Sequence, residues 1–278
     1  MYPYVIVDVF TDTPLEGNPL AVFTDGHDIA SPRMQRIARE MNLSETVFVL
    51  PPTDGADARI RIFTPFGELP FAGHPTLGSA FVLGEQTDRD VIRLETGAGV
   101  VPVEFVRQGG RIVSGRMQQP IPSWEAYRRV EELLAALGVE SAQLPVEAYR
   151  NGPLHVYVAL DTEEAVAALE PDLGALAALP GLGVICFAGS GAHWKMRAFA
   201  PAHGVSEDPA TGSAAGPLAV HLARHGRIAF GQEIEISQGA EIGRPSKLHA
   251  RVDGDGERID KVEVAGSAVV VAHGEFGV

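Results

Sequence analysis

The chain is 278 residues long, 45% hydrophobic and 21% charged, with 22 Lys and Arg against 36 Asp and Glu for a net charge of −14. That length accommodates two ordinary domains, and the surplus of acid repels phosphate backbones and anionic lipid, so neither nucleic acid nor membrane is an expected partner. No apolar run approaches the ~20 residues of a membrane span, Met1-Tyr2-Pro3-Tyr4 lacks a charged leader region, and the single cysteine, Cys186, excludes an internal disulfide; a cytoplasmic protein is expected.

Tyr4 to Phe10 and Leu20 to Phe23 read as strands separated by the turn Glu16-Gly17-Asn18-Pro19. Ser31 and Pro32 mark a helix start as N-cap and first helical residue, and Met34, Ile37, Ala38 and Met41 follow at helical spacing. Thr46 to Leu50 and Ala58 to Thr64 read as strands, Pro75 to Leu83 as a first central helix, and Val91 to Met117 as three strands broken at two glycine turns. Gln119-Pro120-Ile121-Pro122 reads as a linker, which divides the chain into halves 1–118 and 119–278, the last strand being free to pack back on the first half. Ser123 reads as the cap of a helix bearing Trp124, Tyr127, Val130, Leu134 and Leu137 and ended by Gly138. Strands follow at Leu154 to Leu160, Gly183 to Phe187 and Lys195 to Ala200, with Ala-rich helical pieces between them. A second central helix then stops at His225-Gly226, and strands fill the remainder. With few strand–helix–strand crossovers, this is an α+β pattern.

The stretch Glu207-Asp208-Pro209-Ala210-Thr211-Gly212-Ser213-Ala214-Ala215-Gly216-Pro217-Leu218-Ala219 carries no charge after its opening acidic pair. A helix apolar on every side belongs in a core, and its first turn offers N–H groups to an anion. Pro217 is a local conflict, because it removes a hydrogen bond and kinks most helices. The earlier Gly73-His74-Pro75-Thr76-Leu77-Gly78-Ser79-Ala80 echoes this stretch at an offset of 134, which pairs His74 with Asp208 and Gly78-Ser79 with Gly212-Ser213. The same offset takes Pro19-Leu20 to Pro153-Leu154, and an offset of 136 takes Arg61, Phe63 and Pro65 to Arg197, Phe199 and Pro201. Three blocks in order imply an internal duplication. Pseudo-symmetric halves would bring the Gly-Ser starts of both helices to one cleft, with His74 opposite Asp208, and such clefts favour small ligands.

Glu45 lies where the polar Asn42-Leu43-Ser44 enters an apolar strand, and its counterpart near Leu182-Gly183 is no carboxylate. It reads either as a general acid/base or as a solvated strand-edge acid. His74, after Phe71-Ala72-Gly73, is a structural or a catalytic histidine, and Asp208 and Ser213 serve as helix caps, ligand groups or both. His221 and His225 have the spacing of a metal pair but no evident third ligand, and surface placement explains them better, so no metal is expected. Cys186 reads as core.

Gly17-Asn18-Pro19, Met41-Asn42-Leu43-Ser44-Glu45, Phe71-Ala72-Gly73-His74-Pro75 and Glu207-Asp208-Pro209-Ala210-Thr211-Gly212-Ser213 together resemble the PhzF family of phenazine biosynthesis, over nearly the whole chain. The resemblance implies a diaminopimelate-epimerase-like fold, in which each half is a curved sheet around a central helix. It further implies a cofactor-free homodimeric isomerase acting on a cyclohexadiene amino acid in the cleft between the halves. The cysteine pair of the epimerases is missing, so two-thiol racemisation is excluded. Carried over by resemblance, Glu45, His74 and Asp208 are catalytic, and Ser44, Gly73, Gly212 and Ser213 bind substrate. An isomerase or epimerase for another small acid, or a non-catalytic binder of small acids, are the alternatives.

Overall fold

The computed structural model describes residues 1–53, 55–179 and 183–277, which form two compact units, 1–119 with 264–278 and 120–263. In chain order the first unit contains β1 Tyr2–Val9, β2 Asn18–Phe23, α1 Ser31–Met41, β3 Glu45–Leu50, β4 Ala58–Phe63, β5 Glu68–Leu69, α2 Gly73–Gly84, β6 Val91–Thr96, β7 Gly99–Gln108 and β8 Arg111–Gln119. There follow β9 Ser123–Ala126, α3 Val130–Leu137, β10 Glu147–Arg150, β11 Leu154–Ala159, α4 Glu163–Ala167, α5 Leu173–Ala177, β12 Gly183–Ser190, β13 His193–Ala200, β14 Val205–Asp208 and α6 Gly212–Arg224. The chain ends with β15 Glu233–Gln238, β16 Ser246–Asp255, β17 Arg258–Gly266 and β18 Ala268–Phe276. β18 runs antiparallel to β1.

The two units repeat one ladder pattern. β1–β2 is antiparallel, β2–β3 parallel and β3–β4 antiparallel; β10–β11, β11–β12 and β12–β13 follow suit. β4 pairs antiparallel with β5 and parallel with β6, as β13 does with β14 and β15, and the buried helices α2 and α6 lie in the crossovers between. A side-chain cluster repeats too. The Arg61 guanidinium grips Glu68 with two bonds of 2.7 and 2.6 Å and lies 5.0 Å over the Phe63 ring. Arg197 grips Glu207 at 2.9 and 2.7 Å and lies 5.0 Å over Phe199.

The strand periodicity decides what each face meets. In unit 1, Ala21, Phe23, Phe48 and Phe63 pack with Met34, Ile37 and Ala38 of α1, while Leu20, Val7 and Val9 on the opposite phase close on Gly78 of α2. A Cβ on Gly78 would lie 2.7 Å from Val9 Cγ2 and 2.8 Å from Leu20 Cδ2, so glycine here lets the helix touch the strands. In unit 2, Val156, Val158, Val184 and Cys186 pack with α3, α4 and α5 residues, and Tyr157 turns the other way to α6, donating to Ala214 O at 2.8 Å. Every residue from Gly212 to Ala223 is buried, as a helix without a polar face requires.

Two expected elements differ. Ser31 is the first residue of α1 and Ala30 its N-cap, with no side-chain cap bond; the Ser31 hydroxyl accepts from Arg61 Nη1 at 2.6 Å instead. Ser123 and Trp124 do not begin a helix but lie in β9, paired with β10, and the helix starts at Val130. Trp124 spends its apolar surface on a stack with Tyr149 and on the Arg224 guanidinium, 4.4 Å away.

Candidate active site

In unit 1, α1 stops where Asn42 adopts a left-handed conformation (φ 52) and its N–H returns to Ala38 O. The chain then turns through Leu43 and Ser44, and Glu45 opens β3 opposite Leu20, on the phase that faces α2. α2 starts at Gly73 with no side-chain cap, so His74 is its second residue and is 3% exposed. The Glu45 Oε2 and His74 Nε2 atoms lie 3.5 Å apart, with Glu45's side chain 15% exposed.

Asn18, fully buried at the start of β2, completes the arrangement. Its Nδ2 donates to His74 Nδ1 at 3.3 Å, which leaves the ring proton on Nε2, the nitrogen turned to Glu45. Gly17 makes this possible: its φ is +65, and a Cβ there would meet Val9 O at 2.4 Å. Burial pushes the His74 pKa down to about 3, so the ring is neutral at physiological pH. The unit therefore presents a carboxyl group beside a neutral, tautomer-fixed N–H donor, a combination suited to moving a proton.

In unit 2, Asp208 ends β14 and its Oδ2 accepts from the Thr211 hydroxyl at 2.6 Å. Gly212 and Ser213 are the first two residues of α6, and Thr211 at its N-cap makes no side-chain cap bond. Thr211, not Asp208 or Ser213, holds the N-cap position, and its N–H donates to Gln238 Oε1 at 2.9 Å. Asn151, in the Asn-Gly-Pro turn that mirrors Gly17-Asn18-Pro19, donates to Ser213 O at 3.4 Å.

The repeat is real, but its offset near the helices is not 134. α2 begins at Gly73 and α6 at Gly212, a step of 139. His74 therefore corresponds to Ser213, Asp208 to Leu69 at the end of β5, and Gly78-Ser79 lies in mid-helix, opposite Pro217-Leu218, not at a helix start. In the strands, His155 pairs with Gly183 as Leu20 pairs with Glu45, both on the helix-facing phase, so Gly183 answers Glu45. Leu182, the other residue of that expectation, lies outside the described residues.

His221 and His225 also depart from expectation. His221 is fully buried, and both rings reach Glu147 Oε2, at 3.1 Å from His221 Nδ1 and 3.1 Å from His225 Nε2, which supplies the third donor the sequence did not reveal. The same oxygen accepts from Arg224 Nη1 at 2.8 Å and from the Tyr149 hydroxyl at 2.8 Å. The shared oxygen ties the guanidinium, the hydroxyl and both rings into one charged network that joins the end of α6 to β10. Cys186 is core as expected, and burial pushes its thiol up to about 12.

The family model for phenazine biosynthesis-like proteins (PhzC-PhzF) matches residues 7–274. The trans-2,3-dihydro-3-hydroxyanthranilate isomerase of Pseudomonas aeruginosa is 58% identical over 274 residues, 99% of each chain, and that of Pseudomonas fluorescens is 54% identical over the same span. Among solved structures, the Bacillus anthracis phenazine biosynthesis protein of the PhzF family superposes with a TM-score of 0.86 at 27% identity, covering 100% of this chain and 99% of that one. A probable proline racemase from Agrobacterium radiobacter shares the fold at 14% identity and a TM-score of 0.74, over 100% of this chain and 93% of its own.

Proposed function

Because the chain belongs to the PhzF family of phenazine biosynthesis-like proteins, we propose that it isomerises trans-2,3-dihydro-3-hydroxyanthranilate to 6-amino-5-oxocyclohex-2-ene-1-carboxylate. The Glu45 carboxylate takes the proton from C3, the ring double bonds shift, and the same carboxyl group returns the proton at C1. The resulting C3 enol tautomerises to the ketone. Nothing is oxidised or reduced and every atom is retained, so one carboxyl group that gives back what it takes is sufficient chemistry. The observation that carries this reading is the 3.5 Å approach of Glu45 Oε2 to the N–H edge of a neutral His74. A neutral donor can hold the carboxyl group and a substrate hydroxyl without itself competing for the migrating proton.

His74 and Asp208 are assigned to the substrate's hydroxyl and amino groups. The positive end of α6, at Gly212 and Ser213, is assigned to its carboxylate, with Ser44 and Gly73 as further contacts. The same reading makes the enzyme a cytoplasmic homodimer, a state that light scattering tests. The decisive experiment is Glu45→Gln. Acid/base groups contribute about 10²–10⁴ in rate, and here one group serves both transfers, so kcat should fall by at least about 10³ with unchanged melting temperature. With substrate deuterated at C3, deuterium at C1 of the parent's product and its absence from that position in the variant's would identify the carrier. A variant that turns over at a comparable rate sinks the assignment.

A further inference from the structure

Gln238 ends β15, where Ile234 and Ile236 precede it on the buried phase, and it is 1% exposed. A glutamine on the apolar phase of a strand needs partners, and this one finds three at the start of α6. Its Oε1 accepts from the Thr211 N–H at 2.9 Å, and its Nε2 donates to Asp208 O at 2.7 Å and to the Thr211 Oγ1 at 2.9 Å. A side-chain amide offers the acceptor and two donors this requires. Because Thr211 Oγ1 already receives a proton from Gln238, its own proton is committed to Asp208 Oδ2, 2.6 Å away. One oxygen of the Asp208 carboxylate is thus linked, through Thr211, to a strand thirty residues further along the chain.

The other copy of this strand end does nothing of the kind. Thr96, at the matching end of β6, donates its hydroxyl to Gly99 O at 2.8 Å and accepts from the Ala98 N–H, closing its own hairpin. A bracket required merely to build the fold would be present in both units. We propose that Gln238 is a positioning residue for the isomerisation, holding Thr211 and, through its hydroxyl, the Asp208 carboxylate in the geometry used on substrate. This rests on the assignment of Asp208 to the substrate.

Gln238→Glu tests it, since the substitution keeps an acceptor for the Thr211 N–H but removes both donors and sets a second acid beside Asp208. The Thr211 hydroxyl is then free to turn away. We expect kcat to fall about ten- to a hundredfold, with a smaller change in KM, and the acid limb of the pH–kcat profile to move to higher pH as Asp208 loses its donor and gains a like charge. Thr211→Val should reproduce the fall, Thr211→Ser should restore most of the rate, and the double variant Gln238→Glu/Thr211→Val should be no slower than the slower single variant. If Gln238→Glu fails to fold, the Thr211→Val and Thr211→Ser pair decides alone. Parent-like kcat and pH limb in Gln238→Glu and Thr211→Val, together with a slow Asp208→Asn enzyme, would overturn the positioning role and leave the Asp208 assignment standing. A parent-like Asp208→Asn enzyme would overturn both.

Discussion

The first turns of α2 and α6 occupy the same step in the same ladder pattern, and they hold different chemistry. At the second helical residue one has His74 and the other Ser213; before the helix one has Leu69 and the other Asp208. On the strand facing each helix, Glu45 stands in one and Gly183 in the other. What is shared between the copies (ladder order, the Arg–Glu–Phe clusters, helices without a polar face) builds scaffold. What differs is concentrated at the helix starts. Duplication thus gives two similar bodies, and divergence at a few equivalent positions leaves Glu45 and His74 in one and Asp208 and Ser213 in the other.

Removal of Glu45, described above, is the largest effect this comparison predicts. Next comes the asparagine of each turn. Asn18→Asp should reverse the His74 tautomer, because a carboxylate at that position accepts a proton from Nδ1 and leaves Nε2 as an acceptor facing Glu45. We expect kcat to fall roughly ten- to a hundredfold, the cost of one hydrogen bond to a charged group, with a nitrogen-15 shift of the ring reporting the tautomer. Asn151→Asp alters a 3.4 Å bond to a backbone carbonyl and should change kcat about threefold or less. Equal losses from the two substitutions would erase the distinction drawn between the turns.

Acid sharpens the comparison through stability. Burial holds His74 down to about 3 and His155, which also feels His203, down to about 4. The unfolded chain binds these protons near pH 6.5 while the folded chain does not, so stability is full above that pH and is lost as pH falls toward 4. Each histidine contributes about 1.4 kcal/mol per pH unit within its window, or on the order of 3 kcal/mol for His155. His155→Leu copies the residue that unit 1 carries at the matching position, Leu20. Urea melts of this variant between pH 6.5 and 4 should show a shallower decline than the parent, and an unchanged slope would mean that His155 is not held neutral.

Most of the strands and the two buried helices were legible because periodicity and composition are local signals, whereas Glu45 read equally as a solvated strand-edge acid and only the family resemblance singled it out. The helix at Ser123 was misread because Trp124 and Tyr127 fit a helical stripe, while the partner that makes Ser123–Ala126 a strand, β10, lies twenty residues on. The offset was misread because Gly and Ser recur at both helix starts and helix interiors, where they serve different needs: Gly78 admits Leu20, and Gly212 begins a helix. Glu147 stayed hidden as the partner of His221 because no spacing rule links a strand to a helix seventy-four residues away. Gln238 did leave a trace, a polar residue on an apolar phase, but its partners could be found only in three dimensions.

Pro217 inside α6 is the smallest and most exacting case. It stands at the sixth helical position, where α2 has Gly78, and it has no N–H to give to the carbonyl four residues back, that of Ser213. That carbonyl accepts from Asn151 Nδ2 at 3.4 Å, and the neighbouring Ala214 carbonyl accepts from the Tyr157 hydroxyl at 2.8 Å. Two side chains from β11 and the turn before it therefore satisfy the acceptors that a proline disturbs, and the helix continues to Arg224. Pro217→Ala should restore the backbone bond to Ser213 O and make the Asn151 bond redundant. We expect Asn151→Ala to cost about 1 kcal/mol in the parent and distinctly less in the Pro217→Ala background, a coupling that a double-mutant cycle of urea melts measures. Identical costs in both backgrounds would show that Asn151 is held for some purpose other than the carbonyl left open by the proline.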